Sequence, residues 1–327
     1  MRETWVRTDP PLEPSLPAIE AMARRLCPGA IVCRAEEIPG GLINANFRLD
    51  LAGDPHRNRL LLRYWRRGRA DADKEVALLH SLKGQVPVPA VLATGAADSE
   101  FGLPYAFMEW IEAESLHSAA AGLASAALHE LGLAAGGTLA AIHGVRFPRQ
   151  GFFGADLAPD GGYDASVDGQ LAWLNKTLGR DQARDRVGGE LAEAISAFVR
   201  RKGEALSHEW ARRPTLSHGD FDPTNIMVSR AGIGFAIAAV LDWEFAFAGG
   251  PAYDFGHMLR PPLGDQAAFV GGLCAGYRAA GQDLAEDWRE AARLADLLSW
   301  VDFISQPFCG AKAAASARLM MARLIAA

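Results

Sequence analysis

Residues 216–244 read LSHGDFDPTNIMVSRAGIGFAIAAVLDWE and contain the most informative pattern of the chain. The stretch contains an H-x-D motif, His218 to Asp220, and Asn225 lies five positions after the aspartate. Two apolar runs follow, separated by a glycine-containing turn, and they predict a β-hairpin. Because a hairpin brings the outer ends of its two strands together, we expect Asn225 and Asp242 to be close neighbours.

Three hard oxygen donors are therefore predicted at the open end of this hairpin. Mg²⁺ binds one or two carboxylates together with phosphate oxygens and water, rather than a complete protein cage. Phosphoryl transfer depends mostly on positioning and on neutralising phosphate charge, and a separate carboxylate accepts the proton of the attacking hydroxyl. We predict Asn225 and Asp242 as magnesium ligands and Asp220 as the catalytic base.

The pattern of apolar residues predicts a β-rich first third and a mainly helical remainder, which is an α+β fold class. The first third has short strands around a single helix at 70–82, whereas one β segment at 226–241 interrupts the helices beyond residue 111. The other predicted elements are strands at 31–38, 45–51, 60–65, 91–94 and 105–110, helices at 18–25, 119–143, 168–178 and 188–201, and at least three helices between 265 and 327.

Composition argues against several classes of protein. The formal net charge of −6 is unlike that of a general nucleic-acid binder, which needs clustered Lys and Arg. The four cysteines are far apart and form no C-x-x-C pair, which is typical of reduced thiols in a cytosolic protein. No apolar run of about 18 residues and no signal-peptide core occur. We expect a cytoplasmic protein without nucleic-acid or membrane partners; the sequence gives no indication of its oligomeric state.

The motif residues resemble those of the aminoglycoside phosphotransferase and choline kinase-like family. The resemblance rests on His218-Gly219-Asp220 with Asn225 and on Asp242-Trp243-Glu244, and it extends over roughly residues 30–260. It implies a bilobal protein kinase-like fold with a small β-rich nucleotide-binding N-lobe (1–110) and a larger helical C-lobe (111–327). It also implies transfer of phosphate from ATP, or alternatively GTP, with Mg²⁺, to a hydroxyl of a small molecule.

The resemblance assigns nucleotide-binding roles to residues of the first third. Gly40-Gly41-Leu42-Ile43-Asn44 matches the family's nucleotide-covering loop, although it lacks the full G-x-G-x-x-G of protein kinases. Arg63 stands where protein kinases have the phosphate-binding lysine, and Glu75 stands where its ion-pair partner is expected. The strand leading to the lobe crossing is expected to present backbone groups to adenine at Met108, Glu109, Trp110 and Ile111.

Four further polar residues are candidates for support or for acceptor binding. The family implies that His218 hydrogen-bonds within its own loop and that Asp254, within Tyr253-Asp254-Phe255, braces this loop. Asp222 and Glu244 are candidates for contacting the acceptor, and an exposed turn carboxylate is an equal interpretation of Asp222. The family often has His at position 222, so the aspartate is a departure that, with the acidic net charge, points toward a cationic acceptor.

Two other functions compete with the kinase. A metal-dependent hydrolase would use His218, Asp220 and Asp222 as ligands, but it leaves Arg63 and Glu75 without a role. A non-catalytic nucleotide-binding protein with a kinase-like fold would be expected to have lost the base or a metal ligand, and all of them are present.

The helical segment after residue 265 could also contribute to an acceptor pocket. We expect three of its residues to pack in a helix core rather than to line such a pocket: Trp300, Asp302 and Phe303.

Overall fold

Two units make up the described part of the chain in this computed structural model. The smaller unit comprises the described residues up to Glu112 together with Gly154–Leu157, and the larger comprises Ala113–Phe153 and the described residues from Ala158 onward. No helix in either described part is long and apolar enough to cross a membrane. The structure describes residues 10–24, 26–39, 43–54, 56–162, 164–180, 182–212, 214–232 and 234–326.

The smaller unit is built on one five-stranded antiparallel sheet; one helix precedes its first strand, and a second helix lies between its third and fourth strands. Its regular elements are α1 (Leu16–Ala23), β1 (Ile31–Glu37), β2 (Ala45–Ala52), β3 (Arg59–Tyr64), α2 (Arg69–Leu82), β4 (Val91–Gly95) and β5 (Tyr105–Glu109). The strand order is β1-β2-β3-β5-β4. Every second side chain of β2 is buried, which is the period of a strand with one face on a core. The predicted strands and the helix at 70–82 are confirmed, with no end shifted by more than one residue.

The larger unit is mainly helical and contains two small sheets. Its regular elements are β6 (Glu114–Ser115), α3 (Leu116–Ala119), α4 (Ser125–Gly144), β7 (Gly151–Phe152), α5 (Val167–Leu178), α6 (Ala183–Val187), α7 (Gly189–Ala211), β8 (Thr215–Ser217), β9 (Ile226–Ala231), β10 (Gly234–Val240), β11 (Phe247–Gly249), α8 (Pro251–Met258), α9 (Ala267–Ala279), α10 (Trp288–Ser305) and α11 (Ala311–Ala326). The sheets have the orders β10-β9-β6 and β7-β11-β8. With the sheet of the smaller unit, this confirms the predicted α+β class.

Three predictions for the larger unit were wrong. The segment at 226–241 is not its only β structure, because β7, β8 and β11 form a sheet from strands too short to show a period-2 pattern. The helix predicted from residue 119 begins only at Ser125, since Gly122, with a φ of 73°, separates it from α3. Helix α7 continues past Arg201 to Ala211, because Gly203 allows a close contact with Val167 of α5 rather than ending the helix.

Helices α4 and α9 approach each other closely because both contribute glycines to their interface. A Cβ atom at Gly136 would lie 2.1 Å from the backbone oxygen of Leu273, and one at Gly276 would lie 2.2 Å from that of Leu133. No residue with a side chain fits there without moving the backbone. The close pair brings His143, near the end of α4, within 2.9 Å of the hydroxyl of Tyr277 on α9.

Candidate active site

The loop between β8 and β9 holds the predicted catalytic base. Oδ2 of Asp220 accepts a hydrogen bond from Nδ2 of Asn225 at 2.8 Å, and the same Nδ2 donates to the backbone oxygen of Asp220 at 3.0 Å. Asn225 is buried, and the side chain of Asp220 is 15% exposed, so a small part of it reaches the surface. Because Nδ2 of Asn225 points to Asp220, Oδ1 is the atom of this amide that can approach a cation.

The hairpin of β9 and β10 brings Asp242 to the same end as Asn225. Ile226 pairs with Val240, and the backbone N–H of Leu241 donates to the backbone oxygen of Asn225 at 2.8 Å. Asp242 follows directly, with a φ of 66° in the left-handed region, where aspartate is among the few tolerated residues. Such backbone conformations persist only where the surrounding structure enforces them, and they are found most often at functional sites.

His218 is fully buried and both of its ring nitrogens are engaged. Nδ1 accepts a hydrogen bond from the backbone N–H of Asp220 at 3.2 Å, and Nε2 donates to the backbone oxygen of Leu241 at 3.0 Å. Burial lowers the pKa of His218, and the nearby carboxylates of Asp254 and Asp220 only partly oppose this shift. The ring is therefore the neutral Nε2–H tautomer, and it links the loop to the end of β10 rather than offering a nitrogen to a metal.

Asp254, on α8, is fully buried and anchors the backbone of the same loop. Its carboxylate accepts hydrogen bonds from the backbone N–H groups of His218 and Gly219, each at 2.9 Å, and from Nε2 of His143 at 2.9 Å. Burial alone would raise the pKa of Asp254, but the bond from His143 and the proximity of His218 hold it below its ordinary value. Since His143 also contacts Tyr277, a buried chain of polar groups connects α9 and α4 to the loop.

Gly219 is expected to be intolerant of substitution, because its φ is 79° and a Cβ atom would lie 2.4 Å from the backbone oxygen of Phe245. We expect Gly219→Ala to lower the free energy of unfolding by more than about 2 kcal/mol, of which the left-handed backbone accounts for about 1–2. Gly281→Ala is the control, with a φ of 86° and open space at Cβ. Urea denaturation of both variants compares them, and equal losses would rule out the predicted clash.

Glu209, on α7, positions the helix that carries Asp254. It is 7% exposed and accepts a hydrogen bond from the backbone N–H of Ala252 in the first turn of α8. Burial raises the pKa of Glu209 to about 7, although the bond from Ala252 opposes the shift. The carboxyl group therefore ionises in the folded protein only near neutral pH, whereas in the unfolded chain it ionises near its ordinary value of 4.5.

The raised pKa of Glu209 makes stability fall as pH rises from about 4.5 to about 7, since the unfolded state releases this proton first. Glu209→Gln keeps an oxygen for Ala252 but cannot ionise. Between pH 5 and pH 8 we expect wild type to lose about 1–3 kcal/mol more stability than Glu209→Gln. Chemical denaturation at both pH values measures this, with Glu204→Gln at an exposed site of α7 as control. Parallel pH profiles would contradict the prediction.

Asp222 and Glu244 lie near the loop in different surroundings. Oδ1 of Asp222 accepts hydrogen bonds from the backbone N–H of Thr224 at 3.0 Å and from its hydroxyl at 2.7 Å. Oδ2 lies 3.8 Å from Nη1 of Arg260, whose Nη2 is 2.7 Å from Oδ1 of Asp296. Asp222 is thus a largely buried carboxylate with a cationic neighbour, not an exposed turn residue. Glu244 is partly exposed, in a short 3-10 turn after Asp242.

Arg260 also contacts residues of α10. Its guanidinium lies over the ring of Trp300 at 4.5 Å from the centroid, and Nε1 of Trp300 donates to Oδ2 of Asp296 at 3.2 Å. Trp300 is 2% exposed, which agrees with packing in a helix core, and its ring also contacts that of Phe303 edge-on at 5.8 Å. Asp302 is partly exposed, and its Oδ2 accepts a hydrogen bond from Nε2 of Gln306 at 3.1 Å.

The smaller unit brings Arg63 and Glu75 together as a buried ion pair. Nη2 of Arg63 lies 3.0 Å from Oε2 of Glu75, and their side chains are 6% and 3% exposed. The same Oε2 accepts a hydrogen bond from Nε1 of Trp65 at 2.7 Å, and Arg63 Nη1 also donates to Oδ1 of Asn46 at 3.3 Å. Asn44 is buried, and its Oδ1 accepts a hydrogen bond from the backbone N–H of Arg66 at 3.4 Å.

The predicted adenine-contacting residues follow one another along and beyond β5. Met108 is buried and pairs with Leu61 and Val91 in the sheet, and the backbone N–H of Glu109 donates to Ala90 at 2.9 Å. Trp110 and Ile111 come after the strand, and both are partly exposed. The predicted loop residues Gly40 and Gly41 lie outside the described residues.

Sequence reasoning missed several residues that contact the predicted ones. His257 lies three positions after Asp254 on α8, and residues with this spacing share a helix face, so the pattern was available. His143 and Tyr277 gave no such signal, because both lie in helices that are mainly apolar and no sequence pattern relates either of them to the loop. The other missed contacts are Trp65, with Glu75, and Arg260, with Asp222.

Several solved structures with similar folds are phosphotransferases. The GDP and kanamycin complex of APH(2")-IIia superposes with a TM-score of 0.69 at 17% identity, covering 94% of this chain and 98% of that one. A ternary complex of a thermostable mutant of aminoglycoside phosphotransferase APH(4)-Ia with AMP-PNP and hygromycin B gives 0.63 at 17% identity, with 94% and 98% covered. Macrolide 2'-phosphotransferase MphH from Brachybacterium faecium gives 0.60 at 20% identity, again with 94% and 98%. These similarities confirm the predicted bilobal protein kinase-like fold.

The sequence itself identifies the family. No curated protein sequence matches the chain. The family model described as APH, phosphotransferase enzyme family, matches residues 34–294, which include every residue predicted to act in catalysis or to bind metal, nucleotide or acceptor. The predicted enzyme class, a small-molecule kinase, is thereby confirmed, and the chain belongs to the phosphotransferase enzyme family.

Proposed function

We propose that this protein transfers the γ-phosphoryl group of ATP to a hydroxyl group of a small molecule, with Asp220 as catalytic base. The geometry of Asp220 carries the proposal: its side chain is not fully buried, at 15% exposure, and Nδ2 of Asn225 donates to its Oδ2 at 2.8 Å. The hydroxyl oxygen attacks the γ-phosphorus, the bond from that phosphorus to the oxygen of ADP breaks, and Asp220 receives the hydroxyl proton.

Asn225 and Asp242 fit a magnesium ion that arrives with the nucleotide. Among the described residues no cluster of three or more His, Cys, Asp or Glu side chains could hold a metal by itself. Two oxygen donors suit Mg²⁺, which takes its other ligands from phosphates and water, and when bound it would neutralise phosphate charge. The hydrolase alternative fits poorly, because it needs His218 as a ligand and both ring nitrogens of His218 are engaged.

Arg63 is the residue that we propose contacts the phosphates. Glu75 holds its guanidinium, and Trp65 in turn holds Glu75, so the cation is fixed in one orientation. Since the backbone N–H of Glu109 already bonds to Ala90, backbone groups after β5, around Trp110, are the better candidates for binding the base. Two of the similar structures contain GDP and AMP-PNP, respectively, so both ATP and GTP belong in the test.

Loss of Arg63 is expected to weaken ATP binding. Arg63→Ala should raise KM for ATP at least about tenfold, and it should also lower stability, because Glu75 remains buried without its cation. The double variant Arg63→Met/Glu75→Gln removes both charges and keeps an acceptor for Trp65, so it should retain near-normal thermal stability while KM for ATP stays raised. Steady-state kinetics and thermal unfolding separate the two effects. A defect confined to KM for the acceptor would contradict the assignment.

A screen of ATP and GTP consumption over hydroxylated compounds tests the proposed function. The panel contains aminoglycosides, macrolides, amino alcohols and sugars. Neutral acceptors are included because Arg260 lies beside Asp222 and offsets the charge that was expected to bind a cation. Asp220→Ala is the blank, and mass spectrometry identifies the phosphorylated product. Nucleotide binding without product from any acceptor would favour the non-catalytic alternative.

A further inference from the structure

His257, on α8, faces the carboxylate of Asp220 and has no role in the mechanism described so far. Its Nδ1 lies 3.2 Å from Oδ1 of Asp220, and its side chain is only 5% exposed. Asp254, three residues earlier, binds the backbone of the same loop through two N–H groups. Helix α8 therefore contacts the loop at its backbone through Asp254 and at its reactive side chain through His257.

The polar atoms of His257 need a partner. Within the described ranges, neither ring nitrogen makes a fully formed hydrogen bond. Leaving such a group buried without a partner costs about 1–3 kcal/mol, whereas an apolar residue of similar size would avoid this cost. Oδ1 of Asp220 is close enough to accept the bond once the two groups align. In free enzymes, hydrogen bonds at catalytic groups are often poorly aligned and tighten when substrates bind.

We propose that His257 is a positioning residue for the catalytic base, an inference that rests on the proposed function of Asp220. Nδ1–H of His257 donates to Oδ1 of Asp220 while Nδ2 of Asn225 donates to Oδ2, so a donor contacts each carboxylate oxygen. These two contacts fix the orientation of the carboxylate, and this orientation directs it at the acceptor hydroxyl. A freely rotating carboxylate would meet the hydroxyl proton in the right geometry less often.

A double-mutant cycle tests whether His257 acts through Asp220. The reaction measured is transfer from ATP to water, detected as phosphate release. His257→Leu should lower kcat about 10–100-fold, with ATP affinity and melting temperature near those of wild type. In the Asp220→Asn background the same substitution should change kcat less than about twofold. His257→Asn, whose amide nitrogen can occupy the place of Nδ1, should restore part of the rate, whereas His257→Gln should restore less.

Equal fold-losses in both backgrounds, or no loss in wild type, would assign His257 to packing alone and overturn the proposal. NMR of protein labelled with ¹⁵N-histidine, with ADP and Mg²⁺ added, provides a second measurement that does not need turnover. An Nδ1–H signal of His257 that is protected from exchange with water should be present in wild type and absent from both His257→Leu and Asp220→Ala. The proposal is also overturned if this signal is still present in Asp220→Ala or is missing in wild type. Full phosphate release by Asp220→Ala would instead refute the proposed base.

Discussion

Asp220→Ala is expected to lower the rate of phosphoryl transfer by about 10²–10⁴-fold, which is the usual contribution of a general base. The affinity for ATP should change less than about threefold, since Asp220 acts on the acceptor hydroxyl and not on the phosphates. Single-turnover kinetics with saturating ATP measures the first quantity, and equilibrium titration with a fluorescent nucleotide measures the second.

The controls for Asp220→Ala must separate chemistry from folding, because its removal leaves Asn225 without the carboxylate that it binds. Asp220→Asn keeps the size of the side chain but cannot take up a proton, and it should lose activity to a similar extent. Asp168 is an exposed aspartate on α5, away from the loop. Asp168→Asn makes the same chemical change there and should leave the rate of phosphoryl transfer unchanged. Turnover at the wild-type rate in either Asp220 variant would show that Asp220 is not the catalytic base.

The features that sequence could predict are local. Asp220 and Asn225 lie in one loop, and the hairpin that joins Asn225 to Asp242 is visible as two apolar runs around a turn. Strand β2 of the smaller unit is equally visible, because it has one buried face and its side chains therefore alternate. Residues close together in the sequence specify these features, so predicting them requires no knowledge of long-range packing.

The features that sequence could not predict depend on long-range contacts. His143 and Asp254 are 111 residues apart, and His143 and Tyr277 are 134 residues apart. A single histidine in an apolar helical pattern does not indicate which buried carboxylate it will meet. The environment of Asp222 was equally unpredictable. Its neighbours in sequence indicate a turn, whereas its proximity to Arg260 depends on how α8 packs. The local pattern therefore singled out Asp220, Asn225 and Asp242, but not the distant residues His143, Tyr277 and Arg260 that contact this region.

Asp242→Asn is expected to lower kcat/KM for ATP by at least about 100-fold, because it removes the charged member of the proposed magnesium pair. The choice of asparagine matters. The backbone of Asp242 has a φ of 66°, which asparagine also tolerates, so the fold should be retained. Asp242→Ala combines the loss of the ligand with a backbone penalty of about 1–2 kcal/mol, and it should therefore melt at a lower temperature than Asp242→Asn.

The magnesium dependence of nucleotide binding gives the sharper test of Asp242. Asn225 and Asp242 alone are too few ligands to retain Mg²⁺, so the ion should bind mainly together with ATP. In wild type, Mg²⁺ should therefore increase the affinity for ATP, and in Asp242→Asn this increase should be mostly lost while affinity in EDTA is unchanged. Asp168→Asn should respond to Mg²⁺ as wild type does. An undiminished effect of Mg²⁺ in Asp242→Asn would place the ion elsewhere, and the location of Asn225 and Asp242 at one end of the hairpin would then have only a structural role.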